Sequence, residues 1–104
     1  MVDRVARFNW DNGNRAKCRK HGVSITEIES VFGPRVKIRP DVRHSHHEER
    51  FLAIGPTRLH RHAFVVFTIR QHGDHFLIRP ISARYMHRKE IAHYEKENPG
   101  FPNR

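Results

Sequence analysis

The sequence predicts an α+β domain in which helices pack on one face of an antiparallel sheet of about four strands. Three observations predict it. Two capped helical segments come first, the apolar period changes from helical spacing to two at Arg35, and helical spacing returns after Arg84. The resulting order is α-α-β-β-β-β-α. A chain of 104 residues suits one compact domain over 1–104, with 7–96 as its core and 97–104 as a frayed tail. Leu, Ile, Val and Phe supply 26 of those residues, enough to expect a packed core despite the charge.

Residues 7–10 read as a short strand with Phe8 and Trp10 on one face. Asp11 suits a helix N-cap, because its carboxylate accepts an orphan backbone N–H, and the helix then covers 12–20. It ends on Arg19, Lys20 and His21, followed by Gly22: cations in the last turn, then the residue that tolerates a left-handed backbone. Ser24 and Glu27 next form an S-x-x-E capping box, with Val23 and Ile28 at the staple positions around it. Ile25, Ile28, Val31 and Phe32 recur at helical spacing until Gly33-Pro34, where Pro cannot continue the ladder.

From Arg35, Val36 and Ile38 alternate with Arg35, Lys37 and Arg39, the pattern of a half-exposed strand. Residues 40–47 are a connection, and 49–55 a second strand broken at Gly55-Pro56. After a basic turn over 57–61, the run Ala63-Phe64-Val65-Val66-Phe67 marks a central strand over 62–70. Gln71-His72-Gly73-Asp74 turns the chain into a hairpin partner over 75–83, in which Pro80 points to an edge or a bulge. Beyond Arg84, His87, Ile91 and Tyr94 share one helical face, and Asn98-Pro99-Gly100 ends that helix.

Composition narrows the function. The chain carries 20 Lys+Arg against 11 Asp+Glu, a net charge of +9, and 15 of the basic residues are Arg. Arg presents a planar fork of donors that fits phosphate bidentately, so a polyanionic partner is expected: RNA, DNA or an acidic protein. The competing reading is a basic surface kept for solubility. No apolar run approaches the roughly 20 residues that span a bilayer, no secretory signal pattern opens the chain, and Cys18 stands alone. A reducing cytoplasm is the expected location, with no disulfide framework and no Cys-based zinc site.

Three constellations are candidates for chemistry. Lys20 and His21 join the first two helices, where the competing reading is a plain helix end. The stretch His44-Ser45-His46-His47-Glu48-Glu49-Arg50 is the most polar. Its histidines, with His60 and His62, are a candidate metal set, but no recognised ligand spacing is present and a solvated loop is the expected outcome. Glu49 and Arg50 would lie on opposite faces of a strand start. Arg79, Ser82, Arg84 and Arg88 straddle the end of the last strand and the start of the last helix, where sites concentrate and where clustered cations ask for an anion. RNA cleavage needs a 2′-hydroxyl aligned on the neighbouring phosphorus, stabilisation of the charge that develops there, and proton transfer. Such a list of residues does not separate a ribonuclease from a passive RNA binder.

The motifs together resemble a known family. Phe8-x-Trp10-Asp11, Lys20-His21-Gly22-Val23-Ser24, Val31-Phe32, His44-Ser45-x-x-Glu48-Glu49-Arg50, Ile81-Ser82-Ala83-Arg84 and Arg88-x-Glu90-x-x-x-Tyr94 follow the order and spacing of the BrnT toxins of bacteria. The resemblance runs from Phe8 to about Glu95. It implies a RelE-like fold and a ribonuclease toxin that inhibits translation and growth without a metal or other cofactor. It also implies a BrnA-type antitoxin with a ribbon-helix-helix DNA-binding domain, through which alone the toxin reaches operator DNA. By position it implies catalytic roles for His21, Glu49, Arg50, Arg84 and Arg88, and RNA contacts for Lys20, Arg79, Ser82 and Tyr94. The family carries a Lys and an Asn in the first helix where this chain has Asn14 and Cys18. The alternative is a non-catalytic basic module that binds RNA or protein.

Overall fold

The computed structural model describes residues 7–42 and 47–97. The elements follow the expected order: α1 (Asn12–Arg19), α2 (Ile25–Val31), β1 (Lys37–Pro40), β2 (Phe51–Pro56), β3 (His62–His72), β4 (His75–Tyr85) and α3 (Arg88–Glu97). The four strands form one antiparallel sheet in the order β1-β2-β3-β4. Residues 7–10 do not make a full strand. They touch the outer edge of β4 at a single parallel bridge, Phe8 to Ile78, closed by Asn9 N–H to the Ile78 carbonyl at 2.8 Å and Ile78 N–H to the Arg7 carbonyl at 2.9 Å.

Register divides the side chains between two faces. Ala53, Val65 and Ala83 are cross-strand partners, and with Ala63 and Phe67 they meet Cys18 of α1 and Val23, Ile28 and Val31 in and before α2. Three alanines on the sheet let the two helices approach closely. The partners Ile54, Phe64 and Arg84, with Leu52, Val66 and Ser82, face the other way. There α3 covers only one end, where Ile54, Met86 and Tyr94 are buried with Leu52, Phe64 and Ile91 around them. The helices therefore lie on both faces rather than one. The reason is in β2 and β3: consecutive apolar residues such as Leu52-Ala53-Ile54 leave neither face fit for water along its whole length.

One further expectation changes and another holds. Every residue of β1 is exposed, and Ile38 is 50 % exposed, because an edge strand without a helix over it gains no burial from alternation. Pro80 does sit at a bulge: Val66 pairs with Ser82 and Phe67 with Pro80, so Ile81 is the extra residue. Gly73, at φ 59°, makes the tight β3–β4 turn.

Polar anchors fix how the layers meet. Asp11 and Asn14 cap α1 reciprocally, Asn14 N–H donating to Asp11 Oδ1 at 3.0 Å and Asp11 N–H to Asn14 Oδ1 at 2.7 Å. The Asn14 amide then donates to the carbonyls of Asn9 and of Pro80, tying α1 to the bulge. Trp10 Nε1 donates to Glu29 at 2.8 Å, tying the N-terminal segment to α2. Ser24 caps α2, accepting from Glu27 N–H at 3.1 Å. The reciprocal half of the expected box does not form. The Glu27 carboxylate, 4 % exposed, instead accepts hydroxyl protons from Thr57, at 2.9 Å, and from Tyr85. Helix, β2–β3 turn and last strand meet at this one side chain.

Two expected outcomes follow. Glu27→Ala leaves two hydroxyls without their acceptor and should cost about 3 kcal/mol, against about 1 kcal/mol for Ser24→Ala, which removes only a cap; urea unfolding midpoints measure both. His62, 8 % exposed, packs edge-on against the Tyr94 ring with Nε2 unpartnered, and burial holds its pKa below the usual imidazole value despite nearby Glu95. The unfolded chain therefore takes up this proton first. Stability is full above about pH 6.5 and falls as the pH drops from there through the lower folded value. His62→Phe should flatten the slope of unfolding free energy between pH 7 and 5, the other histidines being common to both proteins.

Candidate functional site

Because α3 covers only one end of its face, a groove of about 330 Å³ stays open beside it, lined by Asp41, Leu52, Phe64, Val66, Ser82, Ala83 and Arg84. Its floor is the apolar row that β2 and β3 present on this face. Its polar groups arrive from two edges. β4 brings Ser82 and Arg84 by strand alternation. The β1–β2 pairing brings Asp41, whose N–H donates to the Arg50 carbonyl at 2.9 Å just beyond the last ladder pair.

Arg84 is held on three sides. Its guanidinium lies 4.6 Å from the centroid of the Phe64 ring. Its two terminal nitrogens grip Glu90 of α3 as a fork, at 3.0 and 2.9 Å, and Nη1 also donates to the Tyr85 carbonyl at 3.2 Å. Glu90 in turn accepts from His87 N–H at 2.7 Å, capping α3. Hydrogen bonding from Arg84, more than any other cause, draws the Glu90 carboxyl down to about 2, and the Arg84 guanidinium is pushed up correspondingly. Both groups are charged across the neutral range. Among the described residues, three of the five guanidinium N–H donors have protein acceptors and two do not.

The other candidate residues divide into three groups. Glu49 and Arg50 both precede β2, so the alternation expected of a strand start does not govern them. Glu49 is exposed and lines a smaller cavity with Glu48, Thr68 and Arg70; Thr68 Oγ1 donates to its carbonyl at 2.7 Å. Arg50 is half-buried, 3.8 Å from the Glu48 carboxylate, which Arg70 also binds. Lys20, the C-cap of α1, and His21 beside Gly22 are exposed at the α1–α2 turn and line none of these cavities; Arg88 is exposed on the first turn of α3. Arg79 and Tyr94 serve the fold. Arg79 bonds Asn9 at 2.8 Å and Asp11 at 3.1 Å, and the buried Tyr94 hydroxyl donates to the Arg35 carbonyl at 2.7 Å, which docks α3.

Sequence reasoning passed over Asp41 and Glu90. Asp41 stands in what reads as a connection, yet it directly follows an edge strand, and strand pairing carries the next residue to the groove. Glu90 has a readable signal, three residues after His87 at the helix start. Of the histidines considered for a metal, His44 and His46 lie outside the described residues, His47 and His60 are exposed, and His62 is buried against Tyr94. Among the described residues no group of three His, Cys, Asp or Glu side chains gathers. Cys18 is fully buried and its thiol is pushed up to about 11 by that burial, which makes it a core residue and not a nucleophile.

A comparison with curated proteins finds no match. The sequence model of a family described as the ribonuclease toxin BrnT of type II toxin–antitoxin systems matches residues 10–90, from Trp10 into α3. No helix of the described residues is long and apolar enough to cross a membrane. With the match covering most of the chain and every strand of the sheet, this protein belongs to the BrnT family of ribonuclease toxins.

Proposed function

We propose that the groove at Arg84 is where this toxin cleaves RNA, that it does so without a metal ion, and that loss of RNA halts translation and growth. The observation that carries the assignment is the meeting of Arg84, Ser82 and Asp41 over an apolar floor. A cation, a hydroxyl and a carboxylate in one groove are what transesterification of a phosphodiester asks for.

The phosphate lies against the remaining Arg84 donors and the Ser82 hydroxyl, while Leu52, Phe64 and Val66 take the flat face of a base or ribose. Asp41 accepts the proton of the 2′-hydroxyl. The 2′-oxygen forms a bond to phosphorus as the bond to the 5′-oxygen breaks, and that oxygen leaves with a proton from solvent. The products are a 2′,3′-cyclic phosphate and a free 5′-hydroxyl. Arg84 neutralises the charge that builds on the non-bridging oxygens. Arg50, Arg88 and Lys20 add to the positive field along the strand, with His21 and the Glu49 carboxylate beside its path; Arg79 and Tyr94 act as positioning residues through Asp11 and Arg35.

We further propose that the partner is a BrnA-type antitoxin with a ribbon-helix-helix domain, held in the cytoplasm with its toxin. The basic surface and the open groove suit an acidic, partly apolar segment of such a protein.

Two measurements test the reading. Purified protein should cleave labelled RNA in EDTA, with Arg84→Ala and Asp41→Asn each slowing the reaction by about 10²-fold or more. Binding without cleavage, together with unimpaired translation in an extract, would identify a non-catalytic basic module instead. Glu90→Gln, which removes the carboxylate charge competing for Arg84, should tighten binding of a non-cleavable RNA by roughly tenfold; filter binding at fixed salt reads it.

A further inference from the structure

A second basic cavity lies away from the groove and shares no lining residue with it. It holds about 230 Å³ between the end of α2 and the β2–β3 turn, lined by Ser30, Gly33, Arg35, Pro56, Arg58 and His60 among others. We infer that this cavity binds a phosphate group, with Arg35, Arg58 and His60 as its donors. The ribonuclease reading enters only in naming the source of that phosphate, the backbone of an RNA strand that also reaches the Arg84 groove.

Charge is the first argument. No lining residue is acidic, and among the described residues neither Arg35 nor Arg58 has a carboxylate within ion-pair distance. Of the arginines on the strands, Arg39, Arg70, Arg79 and Arg84 have carboxylates from the same chain, as does Arg50 just before β2. Both acids of α2 are engaged elsewhere, Glu27 by Thr57 and Tyr85 and Glu29 by Trp10. Two guanidinium groups around one cavity repel one another until an anion enters.

Rigidity is the second. Arg58 N–H donates to Ser30 Oγ at 2.8 Å, and Ser30 donates to the Glu27 carbonyl at 2.6 Å. Thr57 Oγ1 accepts from Leu59 N–H at 3.2 Å while Thr57 N–H donates to the Arg61 carbonyl at 2.7 Å. The turn that carries Arg58 and His60 is thus built before any ligand arrives, which lowers the entropic cost of binding. His60, which lines the cavity, holds φ 64°, the one left-handed non-Gly residue among those described, at the expense of backbone strain. Size is the third. The cavity falls short of the roughly 300–1,000 Å³ that encloses a whole small molecule, and it suits a single phosphate with its neighbours outside.

The test titrates the full chain with inorganic phosphate and, separately, with an RNA octamer bearing 2′-O-methyl groups, which cannot be cleaved. NMR follows the His60 ring and the Nε–H resonances of Arg35 and Arg58. Both ligands should move the same resonances, and the octamer should displace phosphate. The double variant Arg35→Gln/Arg58→Gln should weaken octamer binding about tenfold and lower the slope of log K against log salt by about 0.7, one phosphate contact on a single strand. Phosphate binding that the octamer does not displace would keep the site and remove RNA as its source. Resonances that neither ligand moves, or a double variant with the affinity and salt slope of the parent, would overturn the inference. Cleavage in EDTA with an unmoved cavity would do so while leaving the ribonuclease reading intact. An occupied cavity in a protein that cuts no RNA would do the reverse.

Discussion

A buried carboxylate on α2 holds this structure to one arrangement. Glu27 accepts hydrogen bonds from the hydroxyls of Thr57 and Tyr85, so the helix layer, the β2–β3 turn and the end of β4 share one acceptor. Its demand sets the chemistry around it: the Tyr85 phenol is pushed above its ordinary value chiefly by hydrogen bonding to Glu27, and Arg61 lies 3.5 Å over the Tyr85 ring as the nearest cation. Strand alternation then does the rest. With the Tyr85 ring fixed toward α2, Arg84 must point to the opposite face, and its bond to the Tyr85 carbonyl holds it there. The position of the candidate site is therefore decided on the far side of the sheet from it.

This explains what could be read from residues alone. Signals that act within a few residues were legible: Asp11 before a helix, Gly33-Pro34 after one, Pro80 at an irregular point of a strand. Ser24 and Glu27 have the spacing of a capping box, but a carboxylate buried beside two hydroxyls gains more from them than from one backbone N–H at a helix end. Only the fold brings those hydroxyls near. The place of α3 was illegible for a similar reason. Its own pattern shows an apolar stripe, while the face it covers is set by which side of β2 and β3 remains uncovered once α1 and α2 are docked.

The site was legible as a basic series and not as a geometry. Arg79 and Arg84 look alike in the sequence, five residues apart on one strand. The bulge at Ile81 lies between them, and they meet different acids: Arg79 is absorbed by the cap of α1, Arg84 by the start of α3. Asn14, which stands where the family carries a Lys, turns out to be a buried cap and tie, bonded to Asp11, Asn9 and Pro80. A Lys there has donors for those carbonyls but no acceptor for the Asp11 N–H, so the Asn belongs with the cap of α1 and its packing on β4 and not with the groove.

The distribution of acids carries the functional reading one step further. Asp11, Glu48, Glu90 and Glu97 each pair with a cation, and Glu27 and Glu29 are engaged by hydroxyl and indole donors. These six carboxylates thus serve the fold, and the chain as a whole keeps a net charge of +9. Beside the groove, the Glu90 carboxylate of α3 grips Arg84 through two oxygens in the way a phosphate would. The protein itself therefore displays the mode of recognition at this site: a planar, two-oxygen anion against the Arg84 fork, with an apolar floor beside it. An RNA phosphate flanked by a base meets that description, and so does an acidic side chain flanked by apolar residues on a partner protein. On the proposed reading, substrate and inhibitor compete for the same chemistry, so a partner that covers the groove needs no contact with the rest of the RNA path to silence it.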